Sequence, residues 1–183
     1  MATTTAANSF LQRLIGAMSL DAAIYEEVEA DGSATIQAVL VVLASSLAAG
    51  VGARAFGGQT FANVAFFGIV SLIAWAAWAL VTFEIGVRIL PQPQTRSDVG
   101  ELLRTTGFSS APGILRVFGL LPGVTIPVFG ITAVWMLATM VVAVRQALDF
   151  ESTSRAIAVC ALGWFLALAF AMGIGFLFGP TVS

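Results

Sequence analysis

The sequence predicts an all-α integral membrane bundle of five transmembrane helices, preceded by a short amphipathic helical segment at the membrane surface. Three observations lead to this prediction. First, 58% of the 183 residues are hydrophobic and only 10% are charged, whereas soluble domains average about 25% charged residues. Second, the apolar residues form several runs long enough to cross a hydrocarbon core about 30 Å thick. Third, the eight arginines are distributed unevenly among the segments that join these runs.

The composition also restricts the chemistry that the protein can perform. The chain contains no histidine, one cysteine and one tyrosine, so it lacks the usual side chains for general-base catalysis, metal ligation and disulfide bonds. No phosphate-binding loop, dinucleotide-binding turn or convincing acid pair is present. The net charge of −2, without any lysine, provides no basic surface for nucleic acid. We therefore expect no enzymatic activity, no catalytic residue, no metal, no cofactor and no nucleic-acid partner.

Residues 1–33 are predicted to form a cytoplasmic or interfacial segment rather than a secretory signal, because they lack an apolar core. Apolar residues recur at helical spacing from Ser9 to Met18, which predicts a helix with one face on the bilayer. Asp21 can cap a second helix, whose acidic face repels anionic headgroups and either remains solvated or binds a protein partner. The candidate partner-binding residues are Tyr25, Glu26, Glu27, Glu29 and Asp31.

Four segments are long and apolar enough to span the membrane without interruption, and a further segment is irregular. The uninterrupted spans are residues 34–53, 64–83, 127–148 and 156–178. The third span, residues 107–122, is shorter and contains proline and glycine, so we expect it to be broken near Pro112. Residues 34–178 then form one membrane domain, followed by a C-terminal tail at residues 179–183.

The arginine positions favour five crossings over four. With five crossings, most arginines lie on one side of the membrane, as expected for short cytoplasmic loops. These are Arg13, Arg88, Arg96, Arg104, Arg145 and Arg155. The opposite side receives only Arg54, whereas four crossings would place Arg145 and Arg155 outside. The sequence thus predicts a cytoplasmic N-terminus and an outer C-terminus.

The broken third span supplies a candidate intramembrane polar site, formed by Ser109, Ser110, Pro112 and Arg116. Backbone groups that proline and glycine leave free must be satisfied by neighbouring helices, hydroxyls or water, because lipid offers no partner. An arginine inside a span costs at least about 2.5 kcal/mol on insertion scales and usually faces inward. Arg116 is therefore either a structural anchor, able to extend its guanidinium to water at the interface, or part of a permeation or lipid-binding pocket.

Charged residues near the inner ends of the spans supply a further candidate group, Arg88, Arg145, Asp149 and Arg155. The spacing of four residues predicts that Glu84 pairs with Arg88 and places Arg145 one helical turn before Asp149. Ser97 is predicted to cap a short amphipathic helix that begins near residue 98. These residues form either a charged, capped helical hairpin or, together with the acidic N-terminal segment, a cytoplasmic docking platform.

Several short motifs, spread over most of the chain, occur in an order and spacing typical of one family. They are Leu20 and Asp21 with Tyr25, Glu26, Glu27 and Asp31; Glu101, Leu102 and Leu103 with Gly107 and Phe108; Ala111, Pro112 and Gly113 with Arg116 and Pro122; and Trp135 with Arg145, Asp149, Ser154, Arg155 and Ala156. With these motifs the chain resembles the bacterial branch of the Yip-domain family, the Ypt-interacting proteins, from about Phe10 to Phe178.

The resemblance implies an all-helical membrane domain of about five spans with a cytoplasmic N-terminus. Eukaryotic members of the family are organisers of vesicle traffic that bind Rab-type GTPases and each other. That partner class is not transferred, because the acidic segment here lacks the longer N-terminal tract of those members. The resemblance thus implies a fold more than a function.

We expect a non-enzymatic interaction scaffold or accessory subunit of the bacterial inner membrane, in contact with lipids and with other membrane or cytoplasmic proteins or a second copy of itself. The alternative is a transporter or a lipid- or small-anion-handling protein with a cavity at the broken third span, where Arg116 recognises an anionic group. A membrane enzyme would have to rely on serine, threonine or scattered carboxylates.

Overall fold

The computed structural model describes residues 8–53, 61–95 and 97–178. Within these ranges the chain is all-helical, with seven α-helices and no β-strand. The α-helices are α1 (Phe10–Met18), α2 (Ala22–Ala30), α3 (Ala34–Gly52), α4 (Phe61–Glu84), α5 (Val99–Phe108), α6 (Thr125–Ala147) and α7 (Thr153–Phe178). Arg54, Arg96, residues 1–7 and the predicted tail at 179–183 lie outside the described residues.

The two N-terminal helices form where the sequence supplies capping residues. The Ser9 side chain accepts a hydrogen bond from the backbone N–H of Gln12, and the Gln12 side chain accepts one from the backbone N–H of Ser9. Asp21 caps α2 by accepting from the N–H of Ala23 at 3.0 Å, as predicted. Between the helices, Leu20 adopts a left-handed φ of 62°, which allows α2 to turn back along α1.

Helix α1 buries only part of its apolar face, since Leu14 and Met18 pack against the core and other apolar side chains stay exposed. Leu11 and Ile15 are 61% and 55% exposed, whereas Arg13 is only 2% exposed. The exposed apolar side chains are consistent with a helix lying on a membrane surface. The buried arginine is a consequence of carboxylates on the following helices, which the spacing of apolar residues cannot reveal.

Three helical segments are long and apolar enough to cross a membrane, by length and composition, in the described part of the chain. They are Ala34–Gly52, Gly68–Ile89 and Thr125–Ala147. The second of these continues from α4 into a π-helical stretch, Ile85–Ile89. A shorter apolar helix covers Thr153–Ala169 within α7. Large apolar side chains such as Ile36, Ile126 and Val134 are at least 69% exposed, as expected for surfaces that face lipid rather than water. The predicted all-helical fold is confirmed, and three of its long helices are candidate membrane spans.

The third predicted span is not one α-helix. It begins with the end of α5 at Phe108 and continues as a 3-10 helix over Ala111–Leu120, with Pro112 in its first turn. A 3-10 helix of ten residues is uncommonly long, since runs above three or four residues are rare in proteins. Asp98 caps α5 in a reciprocal arrangement with Glu101, so the prediction that Ser97 is the cap is wrong by one residue.

Three glycines of this segment lie against α3 along nearly its whole length. A Cβ on Gly107 would lie 2.6 Å from the Cβ of Ala38, and one on Gly113 would overlap the hydroxyl of Ser45. A Cβ on Gly119 would lie 3.4 Å from the carbonyl oxygen of Gly52. The glycines are six residues apart, two turns of a 3-10 helix, and their partners are seven apart, about two turns of an α-helix. The segment therefore runs parallel to α3 over about 21 Å.

Helix α6 runs antiparallel to the third segment and completes this bundle. Phe129 lies against Gly119, Met136 lies against Gly113, and the hydroxyl of Thr139 donates to the carbonyl of Ser109 at 2.7 Å. At one end of the bundle, the starts of α3, α5 and α7 consequently lie near the ends of α2, α4 and α6. Nearly all described charged residues are found at this end.

Candidate functional site

Three of the five predicted partner-binding residues hold the N-terminal helices together. The guanidinium of Arg13 forms ion pairs with Glu27 at 2.9 Å and with Asp31 at 2.7 Å, and it donates to the side chain of Gln37 at 3.2 Å. Tyr25 is fully buried, and its hydroxyl donates to the carbonyl of Ala17 at 3.1 Å. Tyr25, Glu27 and Asp31 are therefore engaged within the protein and not presented to a partner.

The pKa shifts of this cluster reflect hydrogen bonding that outweighs burial. Desolvation opposes the charged forms of Arg13 and Glu27, yet their mutual hydrogen bonds raise the pKa of Arg13 and help to lower that of Glu27. Hydrogen bonds from Ser33 and Arg13 lower the pKa of Asp31 to about 2. The cluster is fully ionised near neutral pH and fixes α1 and α2 against the start of α3.

The remaining two predicted residues, Glu26 and Glu29, line a cavity of about 750 Å³ at the charged end of the bundle, hereafter the acidic cleft. Helix α2, helix α5 and the α6–α7 loop each contribute carboxylates to it. The lining residues are Glu26, Glu29, Ala30, Gln94, Glu101, Arg145, Gln146, Asp149, Phe150 and Glu151. Five carboxylates thus share one cleft with a single arginine.

That arginine does not neutralise the cleft. Helix α6 ends at Ala147, and Asp149 adopts a left-handed φ of 53°, so the predicted helical spacing between Arg145 and Asp149 does not exist. Arg145 instead donates to the backbone carbonyls of Phe150 at 3.1 Å and Glu151 at 3.3 Å, which shapes the loop.

The crowding of carboxylates in the cleft affects the pKa of Glu29. Burial, followed by repulsion from Glu101, Asp149 and Glu26, raises the pKa of Glu29 to about 7, and only Arg104 acts in the opposite direction. A carboxylate in this state gains charge when a cation approaches, because the cation offsets the repulsion. The arrangement is therefore suited to binding a positively charged group.

Two polar contacts that the sequence did not predict build the walls of the cleft. Arg104 of α5 donates to the backbone carbonyls of Val28 and Glu29 at the C-terminal end of α2. Gln146 of α6 donates to the side chain of Glu26 at 2.9 Å. These partners are 75 and 120 residues apart in the sequence, and no local pattern relates them.

The other predicted inner-loop residues are structural. Arg155 donates to the carbonyls of Leu90 at 3.3 Å and Pro91 at 2.9 Å and so joins α7 to the loop after α4. Arg88 pairs with Glu84 at 2.9 Å, as predicted, and its side chain is 72% exposed. An exposed pair of this kind contributes little to stability.

The structure divides the predicted intramembrane polar site. Ser109 is 1% exposed and donates to the carbonyl of Thr106 at 2.7 Å, and Pro112 is buried in the 3-10 helix. Ser110 and Arg116 line a second cavity of about 630 Å³ beside α3. Only these two of the four predicted residues are therefore available to a ligand. Within the described residues, no group of three or more Cys, Asp or Glu side chains is arranged to hold a metal ion.

Comparison with known proteins adds one relationship. The model of the Yip1 domain matches residues 21–174 of the 183-residue chain. Searches among curated proteins and among solved structures gave no match. The matched region includes α2, the acidic cleft, helices α3 to α6 and most of α7. The motifs, the all-helical fold and this match agree, and the chain belongs to the Yip1-domain family of membrane proteins.

Proposed function

We propose that this Yip1-domain protein is a non-enzymatic scaffold or accessory subunit that binds a basic segment of a partner protein in the acidic cleft. The observation that carries this proposal is the convergence of five carboxylates from three parts of the chain around one cavity whose single arginine is occupied by backbone carbonyls. A basic peptide segment would neutralise this charge, and electrostatic complementarity of this kind favours rapid and selective association.

We further propose five membrane crossings, with the acidic cleft in the cytoplasm. The third segment supports this topology because it follows α3 over about 21 Å and does not turn back. Five crossings also place Arg13, Arg88, Arg104, Arg145 and Arg155 on one side of the membrane, as the distribution of positive charge requires. The N-terminus is then cytoplasmic, the C-terminus lies outside, and the membrane is the bacterial inner membrane.

The cleft can be tested with substitutions that remove charge and keep shape. A triple variant, Glu29→Gln, Asp149→Asn and Glu151→Gln, leaves the capping residues Asp98 and Glu101 unchanged. Asparagine tolerates the left-handed φ of residue 149. A photo-crosslinking residue at Gln94, on the cleft wall, is expected to capture a protein in native membranes from the parent and not from the triple variant.

The matched control is Glu84→Gln, which removes a carboxylate at the same end of the bundle but outside the cleft. The purified parent protein is also expected to bind a fluorescent arginine-rich peptide, with an affinity that falls steeply as salt is added. Crosslinking and peptide binding that survive in the triple variant, or that are lost equally in Glu84→Gln, would contradict the proposal.

The alternative function, transport or handling of a lipid or small anion, is favoured by a different observation. Arg116 lines the second cavity and has no carboxylate partner among the described residues. Loss of peptide binding in the cleft variants would not argue against this alternative, because the two cavities lie at different depths of the bundle.

A further inference from the structure

The second cavity lies within the apolar part of the bundle and is lined by α3, α4, α6, α7 and the third segment. It extends along α3 from Val42 to Ala53, a distance of about 16 Å. Arg116 belongs to its outer part, because the backbone carbonyl of Arg116 contacts Gly52, the last residue of α3. Towards the middle of the bundle the lining is mainly apolar and includes Trp75 and Met136.

Arg116 has hydrogen-bond donors to spare. Its Nε donates to the hydroxyl of Thr132 at 3.2 Å, and its guanidinium carbon lies 5.4 Å from the centre of the Phe129 ring. In the segments that the structure describes, which contain all ten acidic residues, no carboxylate pairs with Arg116 and no acceptor contacts its two terminal nitrogens. An unpaired cation within a span is costly and is usually associated with function.

Ser45 provides a second, independent sign of a ligand. Its side chain lines the same cavity and is only 5% exposed, and its hydroxyl has no hydrogen-bond partner in the described part of the chain. The neighbouring Ser46 differs, since its hydroxyl donates to the carbonyl of Val42 at 2.9 Å. Buried hydroxyls are nearly always hydrogen-bonded, so Ser45 is ready to donate to a molecule in the cavity.

We propose that this cavity binds an anionic glycerophospholipid of the outer leaflet, with its phosphate on Arg116, a hydrogen bond from Ser45 to its ester oxygens, and an acyl chain along α3. A polar outer end and an apolar inner end match the two parts of a lipid. A free phosphate shares the chemistry of the headgroup but would leave the apolar length of the cavity unused. This inference rests on the alternative function and on the five-crossing topology proposed above, and it needs neither the acidic cleft nor a protein partner.

The test measures lipid retention by the purified full-length protein. The protein is equilibrated in detergent micelles containing equal amounts of phosphatidic acid and phosphatidylcholine, and the bound lipids are counted by native mass spectrometry. The parent is expected to retain phosphatidic acid selectively, and Arg116→Gln is expected to retain about tenfold less, because a charge-assisted hydrogen bond is lost. The matched control, Arg88→Gln, removes the same charge from the other end of the bundle and is expected to retain as much as the parent.

A steric variant keeps the test decisive if Arg116→Gln does not fold. Ala49→Trp fills the cavity while the arginine remains, whereas Leu47→Trp places the same side chain on the exposed face of α3. Only the first is expected to release the lipid. Equal retention by the parent and Ala49→Trp, or equal loss in Arg88→Gln, would overturn the proposal. Displacement of the lipid by a millimolar excess of inorganic phosphate would also overturn it and would identify a free anion as the ligand.

Discussion

Two arginines of this protein, Arg13 and Arg116, have opposite surroundings. Arg13, in helix α1, is 2% exposed and forms ion pairs with two carboxylates. Arg116, within the third segment, is half-buried and contacts only a hydroxyl and an aromatic ring among the described residues. An arginine whose donors are all engaged stabilises the fold, whereas one with free donors retains the capacity to bind. The same residue type therefore has its donors engaged by carboxylates in one region and keeps donors free in the other.

The largest effect on stability is expected when Arg13 is substituted. Arg13→Met leaves the carboxylates of Glu27 and Asp31 without their counter-charge and is expected to destabilise the N-terminal helices by about 3 kcal/mol. Hydrogen exchange of the amides in α1 and α2 should then accelerate by more than about a hundredfold. Arg88→Met, which breaks the exposed pair with Glu84, is the control and should change exchange by less than about threefold. Similar effects of both variants would show that the ion pairs of Arg13 stabilise the N-terminal helices no more than the exposed pair of Arg88 does.

A substitution at Gly52 tests the close contact between the backbone of Arg116 and helix α3. Gly52→Ala would drive a Cβ into the carbonyl oxygen of Arg116, so we expect a loss of about 2 kcal/mol and a lower melting temperature. Gly130→Ala is the matched control, because a Cβ there meets nothing within 4 Å and alanine is the better helix former. If Gly52→Ala were as stable as Gly130→Ala, the close approach of the third segment to α3 would be wrong.

The loss of Arg116 itself is expected to be a smaller effect on stability. Arg116→Met removes one hydrogen bond to Thr132 and one cation–π contact with Phe129, which together are worth about 1 kcal/mol. Thermal unfolding in detergent should place this variant between the parent and Arg13→Met. A destabilisation as large as that of Arg13→Met would indicate that Arg116 is a structural anchor.

The smallest effect on the free energy of unfolding is expected from a change of pH. Two carboxylates contribute to this effect with opposite signs. Glu29 binds its proton more tightly when folded, with a pKa of about 7 instead of 4.5, so its contribution to stability declines as pH rises between these values. Asp31 has a folded pKa of about 2 instead of 3.8, so its contribution is lost as pH falls through that range. Glu29 is half-buried, and solvent screening reduces the effect.

Substitutions separate the two contributions. Glu29→Gln should be more stable than the parent at about pH 8 and similar to it below about pH 4, whereas Asp31→Asn should differ most from the parent near neutral pH. Melting temperatures across this range provide the measurement. If the melting temperatures of the parent and of Glu29→Gln were equal above about pH 5, repulsion of Glu29 within the acidic cleft would be excluded.

Much of the fold could be predicted because it follows from local patterns. The apolar runs predict the long helices, Asp21 predicts the cap of α2, and the spacing of Glu84 and Arg88 predicts their ion pair. Pro112 and its neighbouring glycines correctly mark an interruption of the third segment, but they do not reveal a 3-10 helix in contact with α3.

The candidate sites were predicted less completely, because their residues meet across long stretches of chain. The acidic residues of α2 look equivalent in the sequence, yet Arg13 engages Glu27 and Asp31 and leaves Glu26 and Glu29 in the cleft. Ser45 was not predicted at all, since a serine in an apolar helix has no local signal.

Composition and helical periodicity are properties of neighbouring residues, so they suffice to predict a helical, apolar chain. Which charges are paired depends on how distant segments fold together. Ion pairs and cavities depend on distances between segments that pack together, and hydrophobic burial, which sets that packing, is not directional. The difference between Arg13 and Arg116 therefore exists only in the folded protein.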